Sequence, residues 1–128
     1  MRLTTPAVLR AERGFTLVEI LVVVVIIAIL STLALSMYIG YRERAHDAAA
    51  QENIHRIVPS VQAYFVDHDS YSGMTLAELT SDYDAGLDSS HYSLGAVAQS
   101  TFCVQSTSAG RTWRKNGPNA VLERLSCP

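Results

Sequence analysis

The sequence has few of the residues from which catalytic and metal-binding sites are usually built. It contains two cysteines and four histidines in 128 residues. The histidines are scattered, and nothing near either cysteine completes a zinc ligand set. They are His46, His55, His68 and His91. We therefore predict a protein that is not an enzyme and holds no cofactor.

Charge is also scarce, because only 17% of the residues are charged and the formal net charge is −2. This balance gives no overall basicity of the kind that indicates a nucleic-acid-binding protein. The stretch from Ile20 to Ile39 has no charged residue, and 17 of its 20 residues are apolar. A helix of that length spans roughly 30 Å, the thickness of a bilayer core. The stretch is therefore predicted to be a membrane-spanning helix.

One acidic residue, Glu19, stands immediately before this apolar stretch. A carboxylate at the hydrocarbon boundary is costly unless it finds a partner, by roughly 2.5 to 3.5 kcal/mol for an acid at mid-span. An unpaired Glu19 would remain unsatisfied or take up a proton. We therefore interpret Glu19 as a functional residue.

The segment from Arg13 to Glu19 reads Arg-Gly-Phe-Thr-Leu-Val-Glu and resembles the class III signal of type IV pilins and pseudopilins. The resemblance implies that a prepilin peptidase cuts after Gly14 and that the new N-terminal residue, Phe15, is N-methylated. It also implies that Glu19 pairs with the Phe15 amine of a neighbouring subunit during assembly. The alternative is an ordinary secretory signal or single-span anchor, but a secretory signal is cut after an apolar region of about 7 to 15 residues.

The same resemblance implies a biological role and a set of partners. We expect a structural subunit of a type IV pilus or pilin-like filament, with a removed leader (1–14), a membrane and filament-core helix (15–41) and a soluble head (42–128). Its partners are then copies of itself, a prepilin peptidase, an assembly motor and an inner-membrane platform. The precursor would lie in the inner membrane with its head outside the cytoplasm, and the assembled pilus at the cell surface. A pseudopilin of a type II secretion system and a DNA-binding minor pilin are the alternatives.

Apolar residues continue at helical spacing beyond the membrane stretch and predict one helix of about 45 to 50 residues. They are Ala50, Ile54, Ile57, Val58, Val61 and Phe65. Pro59 removes the amide that would bond the carbonyl of His55, which predicts a kink or a break near residues 55–59. Members of this family commonly have a proline in the membrane half of the helix, where this sequence has Ser36.

Beyond this helix the pattern changes to turns and short strands. The segment 75–78, Thr-Leu-Ala-Glu, predicts a capping box that opens a short helix, and an acidic loop is expected over 81–90. Alternation and β-forming residues predict three antiparallel strands, over 92–97, 101–106 and 112–115. The predicted fold class is therefore α+β, with a long helix packed on a small antiparallel sheet, which is also the layout of pilins.

The two cysteines, Cys103 and Cys127, lie near the C-terminus. If the head is outside the cytoplasm, an oxidised pair is expected, and closing the loop between them would stabilise the head by roughly 3.5 kcal/mol. Many pilins close a C-terminal segment with one disulfide, so the resemblance supports this pairing. Two free thiols are the alternative if the membrane interpretation fails.

Two charged segments of the head give surface hypotheses. The first is basic and aromatic, and it suits either a contact with the acidic loop of a neighbouring head or a DNA contact, although Trp113 packed on the long helix is the simpler interpretation. Its residues are Arg111, Trp113, Arg114 and Lys115. The second segment contains Asp82, Asp84 and Asp88 but lacks the glycine turn and terminal glutamate of an EF-hand. We therefore expect an acidic surface there and no metal site.

Overall fold

A computed structural model describes residues 14–128 of the chain. The chain divides into two compact units, and the division falls between Tyr38 and Ile39. The described part of the first unit consists of the start of one long helix, α1 (Leu17–His68), and the residues just before it. The second unit contains the rest of α1 and all other elements, which together form the head.

After α1 the head contains a short helical segment and a four-stranded sheet. Helix α2 (Leu76–Glu78) continues as a π-helical turn (Leu79–Tyr83), and a 3₁₀ turn (Ser89–His91) leads into the sheet. The strands are β1 (Tyr92–Val97), β2 (Phe102–Ser108), β3 (Arg111–Asn116) and β4 (Leu122–Glu123). They pair antiparallel in the order β1-β2-β3-β4, so each strand lies beside the next one in the chain.

The core of the head lies between α1 and the inner face of the sheet. Ile54, Ile57 and Val61 follow one another at helical spacing and are fully buried in a cluster that includes Phe102 and Val104 of β2. Burial of each such side chain contributes about 1.5 to 3 kcal/mol. The apolar periodicity of α1 beyond the charge-free stretch therefore marks the face that packs on the sheet, as predicted.

The predicted α+β fold is confirmed, including the disulfide. The sulfur atoms of Cys103 and Cys127 are bonded, with their Cα atoms 5.8 Å apart. The three predicted strands are present with small shifts at their ends. The capping box also forms, because the Thr75 hydroxyl accepts a hydrogen bond from the Glu78 N–H at 3.2 Å.

Three details differ from the sequence-based predictions. The helix does not break at Pro59, and α1 continues to His68. Ile57 before the proline and Ser60 and Val61 after it are all buried in the head. The segment predicted as an acidic loop contains a π-helical turn and a 3₁₀ turn. The sheet has a fourth strand, whose two residues pair only with β3 and leave no periodic pattern in the sequence.

Candidate functional site

Helix α1 begins with a capped first turn that contains Glu19. The Thr16 hydroxyl accepts a hydrogen bond from the Glu19 N–H at 3.2 Å, and the Thr16 carbonyl accepts one from the same N–H at 3.1 Å. A hydroxyl at this position satisfies an amide that the helix itself cannot, and the positive end of the helix dipole favours an acid in the first turn. The Thr-x-x-Glu spacing of Thr16 and Glu19 is a sequence signal for this cap.

The first part of α1 has no apolar partner among residues 14–128. Every residue from Gly14 to Gly40 is exposed, and no residue of the most apolar part of the helix is buried. By length and composition α1 is able to cross a membrane. Among residues 14–128, Glu19 takes part in no ion pair. Among the described residues, the segment has neither apolar cover nor an ion-pair partner for its carboxylate.

The basic segment of the head is held against α1 by charged contacts. Arg111 Nη2 lies 2.8 Å from Glu43 Oε2, and Arg111 Nη1 lies 2.9 Å from Asp47 Oδ2. Trp113 Nε1 donates a hydrogen bond to Asp47 Oδ1 at 2.9 Å. Because Glu43 and Asp47 are four residues apart on a helix, one guanidinium reaches both carboxylates. We call Glu43, Asp47, Arg111 and Trp113 the hairpin latch.

The centre of the hairpin latch is shielded from solvent, whereas Glu43 at its edge is more than half exposed. Only 17% of the Arg111 side chain and 23% of the Asp47 side chain are exposed. The hydrogen bond from Trp113 and the nearby charge of Arg111 hold the pKa of Asp47 below its ordinary value, although burial opposes them. Beside the latch, His46 Nδ1 lies 3.1 Å from Ser108 Oγ at the end of β2. Arg111 and Trp113 thus contact the helix, as the simpler interpretation of Trp113 predicted.

The other two cations of the basic segment also bind within the head. Arg114 pairs with Glu123 of β4 at 3.0 Å and donates to the Ser126 carbonyl at 2.9 Å. Lys115 Nζ donates to the Ala120 carbonyl. Since side chains alternate along a strand, Arg114 lies on the opposite face of β3 from Arg111 and Trp113. The structure therefore does not gather the four residues into one open basic surface.

Comparison with known proteins gives a match to the N-terminal segment and a match to most of the chain. Residues 9–35 match the family model of the prokaryotic N-terminal methylation motif. The chain is 26% identical over 106 residues to the type IV wide pilus major component PilA4 of Thermus thermophilus, which covers 82% of the chain and 81% of that protein. The chain therefore contains the methylation motif and is similar to type IV pilins and pseudopilins.

Two further relatives match a shorter region of the chain. The type IV major pilin protein PilA of Myxococcus xanthus is 35% identical over 61 residues, which is 48% of the chain and 28% of that pilin. The type II secretion system core protein G of Dickeya chrysanthemi is 36% identical over 62 residues, which is 48% of the chain and 40% of that protein. The chain therefore aligns with less than half of the length of these two relatives.

Two of the three aspartates of segment 81–90 cap local turns. Asp84 Oδ1 accepts a hydrogen bond from the Gly86 N–H at 2.9 Å, and Asp88 Oδ1 accepts one from the Ser90 N–H at 2.9 Å. The hydrogen bonds from Ser90 also lower the pKa of Asp88. Asp82 accepts a hydrogen bond from the Ser81 hydroxyl at 2.7 Å. Within residues 14–128, no three His, Cys, Asp or Glu side chains are grouped so that they could hold a metal ion.

The histidines of the head have separate environments. His68 stacks on the ring of Tyr64, with ring centroids 4.1 Å apart, and its Nδ1 lies 3.1 Å from the Tyr64 carbonyl oxygen. His91 Nε2 lies 3.6 Å from Asp88 Oδ2. His46 contacts Ser108, as described above, and His55 is exposed on α1. Each of these contacts therefore involves a different histidine and a different partner.

Two groups of residues with structural roles escaped the sequence-based predictions. Glu43 and Asp47 join the hairpin latch, and the only signal for it was their four-residue spacing on a predicted helix. Glu123 pairs with Arg114 across β3 and β4, nine residues away along the chain. The partners of both groups depend on strand pairing and on packing, which the local sequence pattern does not specify.

Proposed function

We propose that this chain is a structural, non-catalytic subunit of a type IV pilus or pilin-like filament that assembles through its N-terminal helix. The observation that carries the proposal is the complete exposure of residues 14–40, an apolar helical segment with one carboxylate at its start. Lipid surrounds such a segment before assembly, and the same segments of other copies surround it afterwards. Its similarity to a type IV pilus component over most of its length supports this role.

Glu19 is the proposed assembly residue. Transfer of an apolar helix from lipid into a bundle of like helices removes no water, so hydrophobic burial gives little preference for one arrangement. A charge pair gives such a preference, because opposite charges attract strongly where water is excluded. The amine of a processed Phe15 on a neighbouring copy is the proposed partner, and the exposure of Phe15 and Glu19 in the single chain supports it.

Processing and location follow from the same proposal. A prepilin peptidase removes residues 1–14 by cleavage after Gly14 and methylates the Phe15 amine. The precursor lies in the inner membrane through residues 15–41, with the head (42–128) outside the cytoplasm, and an assembly motor with its platform extracts it into a surface filament. The match of residues 9–35 to the methylation motif supports this sequence of events, although residues 1–13 lie outside the described structure.

The test compares Glu19→Gln with the unaltered chain in the native cell. Gln has nearly the shape of Glu but cannot form an ion pair, so membrane insertion and N-terminal processing should be retained while filaments become few or absent. Electron microscopy of sheared surface material measures the filaments, and mass spectrometry of the membrane fraction identifies methylated Phe15. Thr16→Ser is a matched control, because serine keeps the capping hydroxyl. Normal filaments from Glu19→Gln would overturn the assembly role.

A pseudopilin of a type II secretion system is the second candidate. Its support is the 36% identity to core protein G of Dickeya chrysanthemi over 62 residues, which is 48% of the chain. Because the chain is also similar to pilins, this identity does not separate the two systems. Deletion of the gene separates the two, because loss of surface pili supports a pilin and loss of protein secretion supports a pseudopilin.

A DNA-binding minor pilin is less well supported by the geometry. Arg111, Arg114 and Lys115 already bind carboxylates or carbonyls within the head. Breaking these contacts to bind phosphate would leave Glu43, Asp47 or Glu123 without its cation. We therefore propose that these cations stabilise the head. A salt-sensitive gel shift of the full chain in detergent, lost in Arg114→Gln, would favour the DNA-binding alternative instead.

A further inference from the structure

Gly95 of β1 lies in close contact with Cys127 of the disulfide. A Cβ atom added to Gly95 would lie 2.5 Å from Cys127 Cβ and 3.2 Å from Cys127 Sγ. Real Cβ atoms almost never approach each other so closely, and the atoms concerned belong to a bridged side chain that cannot turn away. While the bridge is intact, any side chain at position 95 would therefore clash with Cys127.

A second observation at the same place comes from the pairing of β1 with β2. Leu94 pairs with Val104 and Val97 pairs with Phe102, so two residues of β1, Gly95 and Ala96, lie opposite the single residue Cys103. This arrangement is a β-bulge, which bends a strand locally and frequently contains glycine. The bulge and the glycine thus coincide at the residue opposite the buried cysteine of the bridge.

The last residues of the chain cross this face of the sheet and bind to it at several points. The Cys127 N–H donates a hydrogen bond to Gln105 Oε1 on β2. The Ser126 carbonyl accepts one from Arg114 on β3 at 2.9 Å. Cys127 therefore approaches Cys103 from the side of the sheet on which Gly95 has no side chain, and its position is fixed by contacts with β1, β2 and β3.

We propose that Gly95 is a positioning residue for formation of the Cys103–Cys127 disulfide. In this reaction the two thiols lose two protons and two electrons to a disulfide oxidant, which is reduced to two thiols while the S–S bond forms. A side chain at position 95 would keep Cys127 from reaching the buried Cys103, so it would shift the equilibrium towards the two thiols. This inference concerns closure of the head and does not depend on filament assembly.

The first experiment measures this equilibrium for the full-length chain in detergent micelles. Gly95→Ala is equilibrated in mixtures of reduced and oxidised glutathione, and the free thiols are trapped by alkylation and counted by mass spectrometry. We expect a shift of about tenfold or more towards the two thiols, because overpacking by one methyl group in a closed site is strongly unfavourable. Ser93→Thr is the matched control, because it adds one methyl group at an exposed position of the same strand and should leave the equilibrium unchanged.

The second experiment separates the proposal from a general need for glycine in β1. Gly95→Ala is placed in a chain that also carries Cys103→Ala and Cys127→Ala, whose C-terminal residues are able to move away from the sheet. The urea midpoint of this chain should match that of the double alanine variant alone. The proposal is wrong if Gly95→Ala prevents folding in that background, or if it leaves the thiol–disulfide equilibrium of the bridged chain unchanged.

Discussion

The two parts of α1 contain similar apolar residues, but their surroundings differ completely. Ile26 is 50% exposed in the first part, whereas Ile54 in the head is fully buried against the sheet. The head obtains its core from its own loops and strands, with Tyr71, Leu79 and Phe102 covering the helix. Residues 14–40 have no such cover among the described residues.

This difference shows which part of the chain is stabilised by its own packing. The head buries an apolar core of its own, and its disulfide and hairpin latch connect its C-terminal half to β2 and to α1. The apolar segment is a regular helix because its backbone is satisfied internally, but its side chains are exposed. Substitutions in the two parts should therefore give separable effects on folding and on assembly.

The largest expected effect on stability comes from a matched pair of isoleucines on one helix. Ile54→Ala removes a fully buried side chain and should lower the free energy of unfolding of the head by about 2 to 5 kcal/mol. Ile26→Ala makes the same chemical change at an exposed position and should alter it by no more than about 0.5 kcal/mol. Urea unfolding of the full chain in detergent, followed by Trp113 fluorescence, measures both. Equal losses would contradict the separation of the two parts.

The next effect concerns the hairpin latch. Arg111→Met keeps the apolar stem of the side chain but removes the cation between Glu43 and Asp47, so the two carboxylates are left facing each other. The urea midpoint should fall, by less than it falls in Ile54→Ala. Arg44→Met is the control, because Arg44 is exposed on the same helix. A midpoint unchanged by Arg111→Met would mean that the latch contributes nothing to stability.

The latch also predicts a dependence on pH. Asp47 has an ordinary pKa near 3.8 when unfolded, and its pKa in the folded head is lower. A depressed folded pKa contributes stability that is present above the unfolded value and is lost as the pH falls through the folded value. Stability should therefore decrease as the pH falls below about 4, and Asp47→Asn should have a smaller decrease. Thermal unfolding at a series of pH values tests this, and identical profiles for the two proteins would contradict it.

The smallest expected effect is at Gly40, which lies in α1 with nothing near the position of an added Cβ. Gly40→Ala should stabilise the helix by about 0.5 to 1 kcal/mol, because glycine loses more backbone freedom than alanine on folding. Circular dichroism during unfolding measures this for the single chain, and a loss of helix stability would contradict it. Loss of filaments in the same variant, with the single chain stabilised, would show that another chain approaches closely at Gly40.

Local patterns in the sequence determined much of this protein. The charge-free stretch, the spacing of apolar residues and the capping box at Thr75 each depend on residues close together in the chain, so they predicted the long helix, its packed face and the start of α2. The strands were recognisable for the same reason. The proposed role of Glu19 also came from the sequence, because a charge beside an apolar stretch is conspicuous without any fold.

Only the tertiary structure decided which distant groups meet. Arg111 and Asp47 are 64 residues apart in the chain, and their contact exists because the β2–β3 hairpin packs on α1. The passage of α1 through Pro59 likewise depends on the core that holds the helix on both sides, which offsets the missing amide. Gly95 gives no signal of its role in the sequence, since the close approach of Cys127 arises only when the chain end crosses the sheet. Contacts of this kind depend on the summed packing of the whole head, and no local pattern encodes that sum.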